Sequence, residues 1–474
     1  MQQKIGRAYI LAAVSGLLLA GAFAPFGLGG LAWVALVPLF YAVTVASGVR
    51  QAFLLGGTTG LVFYILALSW MPNVVHYLAL LFWLVFALWL ALHAGLLRAL
   101  WDLLHGRGGL GSARALAWAA AAGLSWAGIE YFRSELWPLE CPWLGLGYSQ
   151  TYNPVVFQSL SLIGVYGLSA FIAAFNAALT LLPRRRPLLA PAALAALALA
   201  AAYAWGAQRL SSGASEGGRP IKAALVQAER ADINTLARLS LRPEAADADL
   251  LVWPECSVTM PSVQEPAHVS LLARKLKKFK GEAVIGVCVD ANRARGVKRG
   301  NYALVLGRDK RTAGLYHKMH PVQFVEAGLP SNKKPEPVVT PLGRLGPQIC
   351  YDLAFEDGTR AITRGGAEVL ITPTLDPEEW SLLQHQQHSD MSAARAVESG
   401  LWLLRAASSG ESQVIDSLGQ VRASLASGRE GVLVAEARLA PGGTFYTSYG
   451  WLLPPFSFIF TLAAAALVIL RKVR

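Results

Sequence analysis

The sequence predicts a polytopic α-helical membrane bundle of about eight spans that carries one exported α/β sandwich domain. The membrane part follows from composition, because 54% of the 474 residues are hydrophobic and only 15% are charged, a balance too apolar for an ordinary soluble protein. The globular part follows from one long polar stretch between apolar runs. We therefore expect a seven-span membrane domain (1–207), a globular domain (208–448) and a C-terminal span with its tail (449–474).

A membrane-spanning helix needs about 20 apolar residues. The candidate spans are Ala8–Ala24, Leu31–Ser47, Phe53–Trp70, Tyr77–Leu100, Leu116–Phe132, Val155–Leu182, Leu188–Trp205 and Trp451–Leu470. The first run follows Lys4 and Arg7 and resembles a secretory signal peptide, but Pro25 directly after Ala24 disfavours cleavage there. We interpret this run as an uncleaved span.

Five basic termini and connections lie on one side of this eight-span arrangement. The basic termini and connections contain Lys4, Arg7, Arg50, Arg98, Arg107, Arg114, Arg184, Arg185, Arg186, Arg471, Lys472 and Arg474. The first-to-second and third-to-fourth connections contain neither residue type. Because basic loops stay in the cytoplasm, we expect both termini to be cytoplasmic and the globular domain to be exported, which in a bacterium would place it on the periplasmic face of the inner membrane. The net charge of +12 then indicates topology and not nucleic-acid binding.

The four cysteines, Cys141, Cys256, Cys288 and Cys350, are widely spaced and form no CxxC pair or His/Cys metal pattern. We therefore expect no disulfide framework, no metal and no cofactor. Cys256 and Cys288 are interpreted as buried structural cysteines.

An aromatic connection precedes the sixth span and contains Trp137, Trp143, Tyr148 and Tyr152. Such rings favour the headgroup level of a bilayer. One interpretation is an ordinary aromatic belt, and the other makes Trp143 and Tyr148 part of a wall past which a lipid substrate enters.

Short β-type runs alternate with helical patterns in the globular stretch, which is typical of an α/β sandwich with mixed sheets. The predicted strands are Ile221–Gln227, Leu250–Trp253, Ala283–Val289, Tyr302–Leu306, Gly346–Cys350, Val369–Pro373, Trp402–Ala406 and Val432–Glu436, and the predicted helices are Ser262–Lys278, Ala354–Arg364 and Pro377–Ser399. Ser211–Gly218 is predicted to be a linker because it is rich in Ser and Gly.

Three chemical groups follow short apolar segments in this stretch. Glu255 follows an apolar strand ended by a proline, where burial would raise a carboxyl pKa toward that of a general base. Lys318 offers a cation for an oxyanion, and Cys350 offers a nucleophilic thiol that such a cation would activate. Taken singly, each also fits an ordinary structural role: a turn carboxylate, a solvated lysine and a buried cysteine.

The order Glu255, Lys318, Cys350 resembles the Glu-Lys-Cys pattern of the nitrilase, or carbon–nitrogen hydrolase, superfamily. Together with the membrane spans, the chain resembles the apolipoprotein N-acyltransferase family over nearly its whole length. The other segments that resemble this family are Ala24–Gly27, Leu31–Leu39, Gly147–Gln150, Lys318–His320 with Phe324 and Glu326, Arg395–Glu398 with Leu403–Arg405, and Thr444–Trp451.

The resemblance implies that Glu255 is the general base, Lys318 the oxyanion stabiliser and Cys350 the nucleophile. Glu326 would order the lysine, and Tyr351 would lend its backbone N–H beside the nucleophile. The implied reaction moves an acyl chain from a phospholipid, through a cysteine thioester, to the N-terminal amine of a diacylglyceryl-cysteine apolipoprotein. Asp352 departs from the pattern, because the family usually has Glu at that position.

Two rivals remain at this point. Asp352 and a short Lys318-to-Cys350 spacing favour a membrane-anchored amidase or nitrilase that acts on small amides, or an N-acyltransferase with another acceptor. The second rival is a transporter or scaffold with a relic domain, which the intact triad argues against.

Overall fold

The computed structural model of the protein describes residues 2–105, 111–182, 189–263, 265–291, 298–326, 328–332 and 334–473. Arg107 and the basic connection Arg184–Arg186, on which the predicted orientation partly depends, lie outside these residues. The chain forms two compact units, one made of Met1–Gln208 with Tyr449–Arg474 and the other of Arg209–Ser448.

The first unit contains helices α1–α10 and α16, and the second contains α11–α15. Their bounds are α1 Gln2–Ala22, α2 Ala32–Ala35, α3 Val37–Val45, α4 Val49–Ala67, α5 Met71–Val75, α6 Leu78–His105, α7 Ser112–Tyr131, α8 Pro154–Phe157, α9 Leu160–Thr180, α10 Leu189–Ser211, α11 Ile233–Ser240, α12 Pro266–Lys275, α13 Glu356–Arg364, α14 Leu382–Ser399, α15 Phe445–Ser448 and α16 Leu453–Val473.

Among the described residues, five helices are long and apolar enough to cross a membrane: Val49–Ala67, Leu78–His105, Leu160–Thr180, Leu189–Glu216 and Gly450–Arg471. Two shorter apolar helices, Gly6–Ala22 and Gly29–Val45, coincide with the first two predicted runs. Helix α7 corresponds to the fifth predicted span. It packs closely against α9 at Gly123 and against α16 at Gly128, where a Cβ would have no room. A helical membrane part is therefore present, and the count of eight spans stays a prediction.

The second unit is built on two sheets. The strands are β1 Arg219–Gln227, β2 Leu250–Val252, β3 Val258–Met260, β4 Glu282–Val289, β5 Gly300–Leu306, β6 Thr312–His317, β7 Val338–Thr340, β8 Gly343–Pro347, β9 Val369–Thr374, β10 Leu403–Ala407, β11 Ser412–Ile415, β12 Val421–Leu425 and β13 Gly431–Leu439. One sheet has the order β13-β1-β2-β4-β5-β6, with β3 also paired to β4, and the other has the order β12-β11-β10-β9-β8-β7. Parallel pairs at the centre (β1/β2, β2/β4, β8/β9 and β9/β10) and antiparallel pairs toward the edges make both sheets mixed.

Alternation along the strands gives the first sheet two apolar faces. Leu250 and Val252 face a core shared with the second sheet, which contributes residues such as Val369 and Ile371. Leu251 and Trp253 point the other way and pack with α11 and α12. The predicted α/β sandwich with mixed sheets is confirmed.

Two details of the second unit differ from the sequence predictions. Strand β8 ends at Pro347 and not at Cys350, because the chain turns there into a short 3₁₀ segment, Cys350–Ala354. The predicted linker Ser211–Gly218 is in part a packed turn: Ser215 is buried, its carbonyl accepts from the Trp402 indole at 3.1 Å, and its hydroxyl accepts from Arg422 at 3.0 Å.

The cysteine interpretation was wrong for one pair. Cys256 and Cys288 form a disulfide with a Cα–Cα distance of 4.8 Å. Their separation of 32 residues hid the pairing, because the sequence did not show that the turn after β2 lies against β4. Strand β3 follows Cys256 and pairs with β4, and in this pairing Thr259 lies opposite Cys288.

Candidate active site

The ends of three strands bring together the three residues singled out in the sequence. Glu255 follows β2, Lys318 follows β6, and Cys350 follows β8 of the opposite sheet. All three are nearly inaccessible, with exposed fractions of 2–3%. Residues this far apart in sequence meet because both sheets direct these strand ends into one region of the unit.

The turn that carries Glu255 lies directly against β4. A Cβ on Gly286 would collide with the Pro254 carbonyl and the Glu255 backbone, so glycine is needed there for this close approach. Cys256 adopts a φ of 51°, in the left-handed region, and its disulfide to Cys288 fastens the turn to β4. The close approach at Gly286 and the disulfide of Cys256 thus both hold the turn that positions the Glu255 carboxylate.

Lys318 lies between two carboxylates. Its Nζ is 2.8 Å from Glu255 Oε1 and 2.7 Å from Glu326 Oε2. Burial by itself would lower the pKa of Lys318, but the two carboxylates raise it well above its usual value. The lysine is therefore a permanent cation, as an oxyanion stabiliser must be.

Asn301, which the sequence analysis missed, links the two carboxylates. Its Nδ2 donates to Glu255 Oε1 at 2.6 Å and to Glu326 Oε1 at 2.9 Å. Asn301 lies in β5 opposite Cys288 of β4, so the disulfide strand also supports this amide. A single Asn directly before a predicted strand carries no sequence signal of such a role.

The pKa values of the two carboxyl groups are shifted in opposite directions. Burial raises the pKa of Glu255, and the negative charge of Glu326 raises it further. Together they outweigh the positive charge of Lys318, which lowers it. Burial acts against ionisation of Glu326 too, but Lys318 and the Val322 N–H lower the pKa of Glu326 overall. Glu255 is consequently the carboxylate suited to accept and release a proton.

Cys350 occupies a backbone conformation that only a few non-glycine residues adopt, with a φ of 49°. Its thiol donates to the Leu375 carbonyl over 3.7 Å, and the Leu375 N–H donates to Glu255 Oε2 at 2.8 Å. Burial and the Glu255 charge raise the pKa of Cys350 well above its usual value, although Lys318 lowers it as expected from the sequence. The resting thiol is therefore protonated.

Asp352 connects the lysine segment to the cysteine segment. Its carboxylate accepts from the Met319 and His320 N–H groups at 3.0 and 2.7 Å, the Ile349 N–H at 2.9 Å and the Tyr316 hydroxyl at 2.8 Å. Tyr351 is buried beside it, with its ring edge-on to Phe355 at 5.1 Å. Asp352 departs from the family pattern, and these four hydrogen bonds give its carboxylate a structural function.

Trp143 and Tyr148 belong to the membrane unit and are buried within it. The Trp143 ring contacts Trp70 at 5.4 Å, and its carbonyl accepts from Arg133 at 2.9 Å. Their burial assigns them a packing role in the aromatic connection. A role in admitting a lipid stays a prediction.

A second charged cluster lies next to the thiol, and the sequence analysis did not find it. Asp376 follows β9; its Oδ1 is 2.8 Å from His388 Nδ1, and its Oδ2 pairs with Arg405 Nη2. One ligand atom each of Cys350, Asp376 and His388 lie within 4.8 Å of one another. A metal ion would have to compete with Arg405 for the Asp376 carboxylate, so we assign no metal to this group.

The similarity of this chain to known proteins can now be set beside the geometry. Residues 15–178 match the apolipoprotein N-acyltransferase N-terminal domain, and residues 222–444 match the carbon–nitrogen hydrolase family. A protein of Geobacter metallireducens named apolipoprotein N-acyltransferase is 32% identical over 94% of this chain and 92% of its own length. The chain belongs to the apolipoprotein N-acyltransferase family.

Other proteins extend this comparison. An apolipoprotein N-acyltransferase of Gloeobacter violaceus is 28% identical over 96% of this chain and 93% of its own. Among solved structures, a carbon–nitrogen hydrolase from Helicobacter pylori matches with 21% identity and a TM-score of 0.39, over 51% of this chain and 94% of that chain. The resemblance noted in the sequence is confirmed, and as a member of the apolipoprotein N-acyltransferase family the chain is an acyltransferase and an integral membrane protein.

Proposed function

We propose that this protein transfers an acyl chain from a membrane phospholipid to the N-terminal amine of diacylglyceryl-cysteine apolipoproteins. The observation that carries the proposal is the meeting of the Cys350 thiol with Glu255 and Lys318 in a buried site of a membrane protein of this family. The geometry supports a two-step reaction through a thioester.

In the first step Glu255 takes the thiol proton and Sγ attacks the ester carbonyl carbon of the phospholipid. Lys318 stabilises the oxyanion that forms. The carbon–oxygen bond to glycerol then breaks as Glu255 gives the thiol proton to the alcohol oxygen, and the acyl group stays on Cys350 as a thioester.

In the second step the amine of the apolipoprotein attacks the thioester carbonyl. Glu255 takes a proton from the amine, the carbon–sulfur bond breaks as the amide forms, and Glu255 returns the proton to the sulfur. The low exposure of the site supports transfer to an amine over hydrolysis, because water competes poorly for a closed site.

For localisation, we propose that the second unit is periplasmic and that both termini are cytoplasmic in the bacterial inner membrane. The distribution of basic residues supports this orientation. The Cys256–Cys288 disulfide supports it independently, because disulfides persist in the oxidising periplasm and are rare in the cytoplasm. Reporter fusions after Ser211 and after Arg471 should indicate opposite sides, and signals from the same side would contradict the orientation.

The amidase alternative is not favoured. One of its two supports was Asp352, and the four hydrogen bonds of that carboxylate explain its presence without a change of substrate. The match to named N-acyltransferases covers the membrane half as well as the catalytic half.

The test is mass analysis of the purified full chain after incubation with dioleoylphosphatidylethanolamine vesicles. We expect one oleoyl mass on the Cys350 peptide, its loss on addition of a diacylglyceryl lipopeptide, and no adduct in Cys350→Ala. Glu255→Gln and Lys318→Met should each slow the adduct by about 10²-fold or more. Full activity of Cys350→Ala would refute the mechanism, as would an enzyme that hydrolyses small amides and never acylates from lipid.

A further inference from the structure

A pocket of about 430 Å³ opens at the surface of the first unit, and the proposed reaction does not use it. One wall is the loop of residues 27–31, between α1 and α2, and the other is the pair Tyr152 and Asn153, which precedes α8. Pockets that bind small molecules usually measure about 300–1,000 Å³. The volume is therefore sufficient for a lipid headgroup.

Close contacts hold the two walls together. A Cβ on Gly29 would collide with the Ser149 carbonyl, and a Cβ on Gly27, whose φ is 63°, would press on the Tyr152 ring. The buried Gln150 side chain donates from its Nε2 to the Gly29 carbonyl at 2.8 Å. Because these contacts fix the loop, the pocket is preformed and a ligand does not have to order it.

The ends of two apolar helices place the pocket at the headgroup level of a bilayer. Helix α1 has 21 residues and is therefore about 30 Å long, close to the thickness of the hydrocarbon core. Its N-terminal half-turn region carries Lys4 and Arg7, and the pocket follows its C-terminal end. On the other wall, Asn153 shortly precedes Leu160–Thr180, which is long and apolar enough to cross a membrane.

The rim of the pocket is apolar and exposed. Phe26 and Leu28 are 67% and 57% exposed, and Tyr152 is 45% exposed, whereas Trp143 and Tyr148 of the same aromatic connection are buried. Grouped apolar side chains at a surface mark an interaction site, and aromatic rings at this level of a membrane protein contact lipid. The rim therefore indicates a lipid as the occupant.

The lining favours a headgroup without net charge. Only Gly, Leu, Tyr and Asn form the pocket, so an anionic headgroup would find no counter-charge there, whereas a zwitterion brings its own. The Leu28 N–H donates to the Gly21 carbonyl at 3.1 Å, which places the partially negative C-terminal end of α1 beside the pocket and favours an ammonium group. Asn153 Nδ2 donates to the Tyr203 hydroxyl at 3.1 Å, and the oxygen of the same amide is a matching acceptor for an ammonium N–H.

We propose that this pocket binds one molecule of phosphatidylethanolamine from the bilayer. The headgroup occupies the space between the glycine-containing loop and Asn153, and the acyl chains run along Phe26 and Leu28. The pocket belongs to the first unit, whereas Cys350 belongs to the second. The inference concerns reversible binding, so it holds whether or not acyl transfer at Cys350 takes place.

The test is photo-crosslinking of the full chain in dodecyl maltoside with a phosphatidylethanolamine that carries a diazirine in one acyl chain, next to the glycerol. A Cys350→Ala background prevents transfer of the labelled chain to the thiol. Peptide mapping should find the label on the segments that contain Phe26 or Tyr152. Unlabelled dioleoylphosphatidylethanolamine should displace this label at a concentration about tenfold lower than dioleoylphosphatidylglycerol does.

Gly30→Phe is the variant that fills the pocket. Gly30 is exposed, and a Cβ there would have no other atom within 4 Å, so the ring enters the pocket without a backbone clash. We expect the label on the two segments to fall about tenfold or more. Gly48→Phe is the matched control, because Gly48 lies in the connection between α3 and α4 and is equally open. It should keep the full label.

Asn153→Leu carries the test if Gly30→Phe does not fold. This variant retains an apolar side chain of similar size and removes the amide, so the label should persist while the preference for phosphatidylethanolamine over phosphatidylglycerol disappears. Full labelling of Gly30→Phe, displacement by phosphatidylglycerol as strong as by phosphatidylethanolamine, or an unchanged preference in Asn153→Leu would each overturn the proposal.

Discussion

At the scale of single residues, burial raises the pKa of Glu255, and a neighbouring carboxylate adds to this effect. Glu326 lies on the other side of Lys318, and its negative charge adds to burial in raising the pKa of Glu255. A base acts only when deprotonated, so activity is lost as the pH falls through this raised pKa.

We therefore predict that Glu326→Gln moves the acid limb of kcat/KM to lower pH, because Gln removes the charge that raises the pKa of Glu255. The variant should also lose about tenfold or more in rate at neutral pH, as expected for one lost hydrogen bond to a charged lysine. The measurement is a pH profile of acyl transfer, with the exposed carboxylate variant Glu336→Gln as control. An acid limb that stays in place, or moves up, would contradict the assignment of Glu255 as base.

A second residue-scale prediction concerns Asp352. Four donors converge on its carboxylate, and the amide of Asn would point an N–H₂ group at some of them. Asp352→Asn should therefore lower the free energy of unfolding by about 2–3 kcal/mol and slow acylation, because Lys318 and Cys350 lose their common anchor. Chemical denaturation of the protein in detergent, followed by a signal from the second unit, measures the change in the free energy of unfolding. Asp352→Glu, which retains an acceptor-only group, should be milder, and a fully stable Asp352→Asn would refute the anchor role.

At the scale of elements, the turn after β2 is fastened to β4 by the Cys256–Cys288 disulfide and by the close approach over Gly286. This turn carries Glu255, so its position relative to β5 determines the hydrogen bond from Asn301. The cross-link closes a loop with a sequence separation of 32 residues.

Loop-closure entropy for such a cross-link amounts to about 3–4 kcal/mol. We predict that the double variant Cys256→Ser/Cys288→Ser has a lower thermal midpoint than the wild type and a reduced rate of acylation. Adding a reductant should lower the wild-type midpoint and leave that of the double variant unchanged. Cys141→Ser leaves the cross-link intact and should respond to reductant as the wild type does. Identical midpoints for the wild type and the double variant, each with and without reductant, would show that the disulfide contributes nothing to stability.

At the scale of the whole molecule, each unit has its own interior. The second unit closes both faces of its first sheet, one against the second sheet and the other against α11 and α12. The first unit is an apolar helical bundle with five helices, among the described residues, that are long enough to span a membrane. This division predicts that folding of the catalytic unit and use of a membrane lipid are separable.

We predict that residues 209–448, expressed alone, fold and form the thioester from p-nitrophenyl oleate but not from phospholipid vesicles. The reason is that a donor chain drawn out of the bilayer exposes apolar surface at about 0.8 kcal/mol per CH₂ group, unless a membrane part shelters it. Both rates are followed as acyl mass on Cys350, with the full chain as reference. Equal use of phospholipid by the separated unit would reduce the membrane half to an anchor and favour the amidase alternative.

The same three scales divide what could be predicted. Apolar run lengths and strand alternation are local properties, so the membrane part, the mixed α/β sandwich and most strand centres could be read from the sequence. Strand ends were less certain, as Cys350 illustrates: β8 stops at Pro347 and the thiol opens the following turn with a positive φ. Helix α11 was missed although Asp232, an N-cap that accepts from Asn234 and Thr235, marks its start.

The sequence by itself determined the chemical groups of this protein: a Glu, a Lys and a Cys in a fixed order within the globular part of a membrane chain. Only the tertiary structure decided how these groups are coupled. Asn301 between two carboxylates, the Cys256–Cys288 cross-link, and the cluster of Asp376, His388 and Arg405 beside the thiol each join residues from different strands or helices. Such pairings leave no periodic trace in a sequence, because they depend on which strand ends the two sheets bring together and on how burial strengthens the charges that meet there.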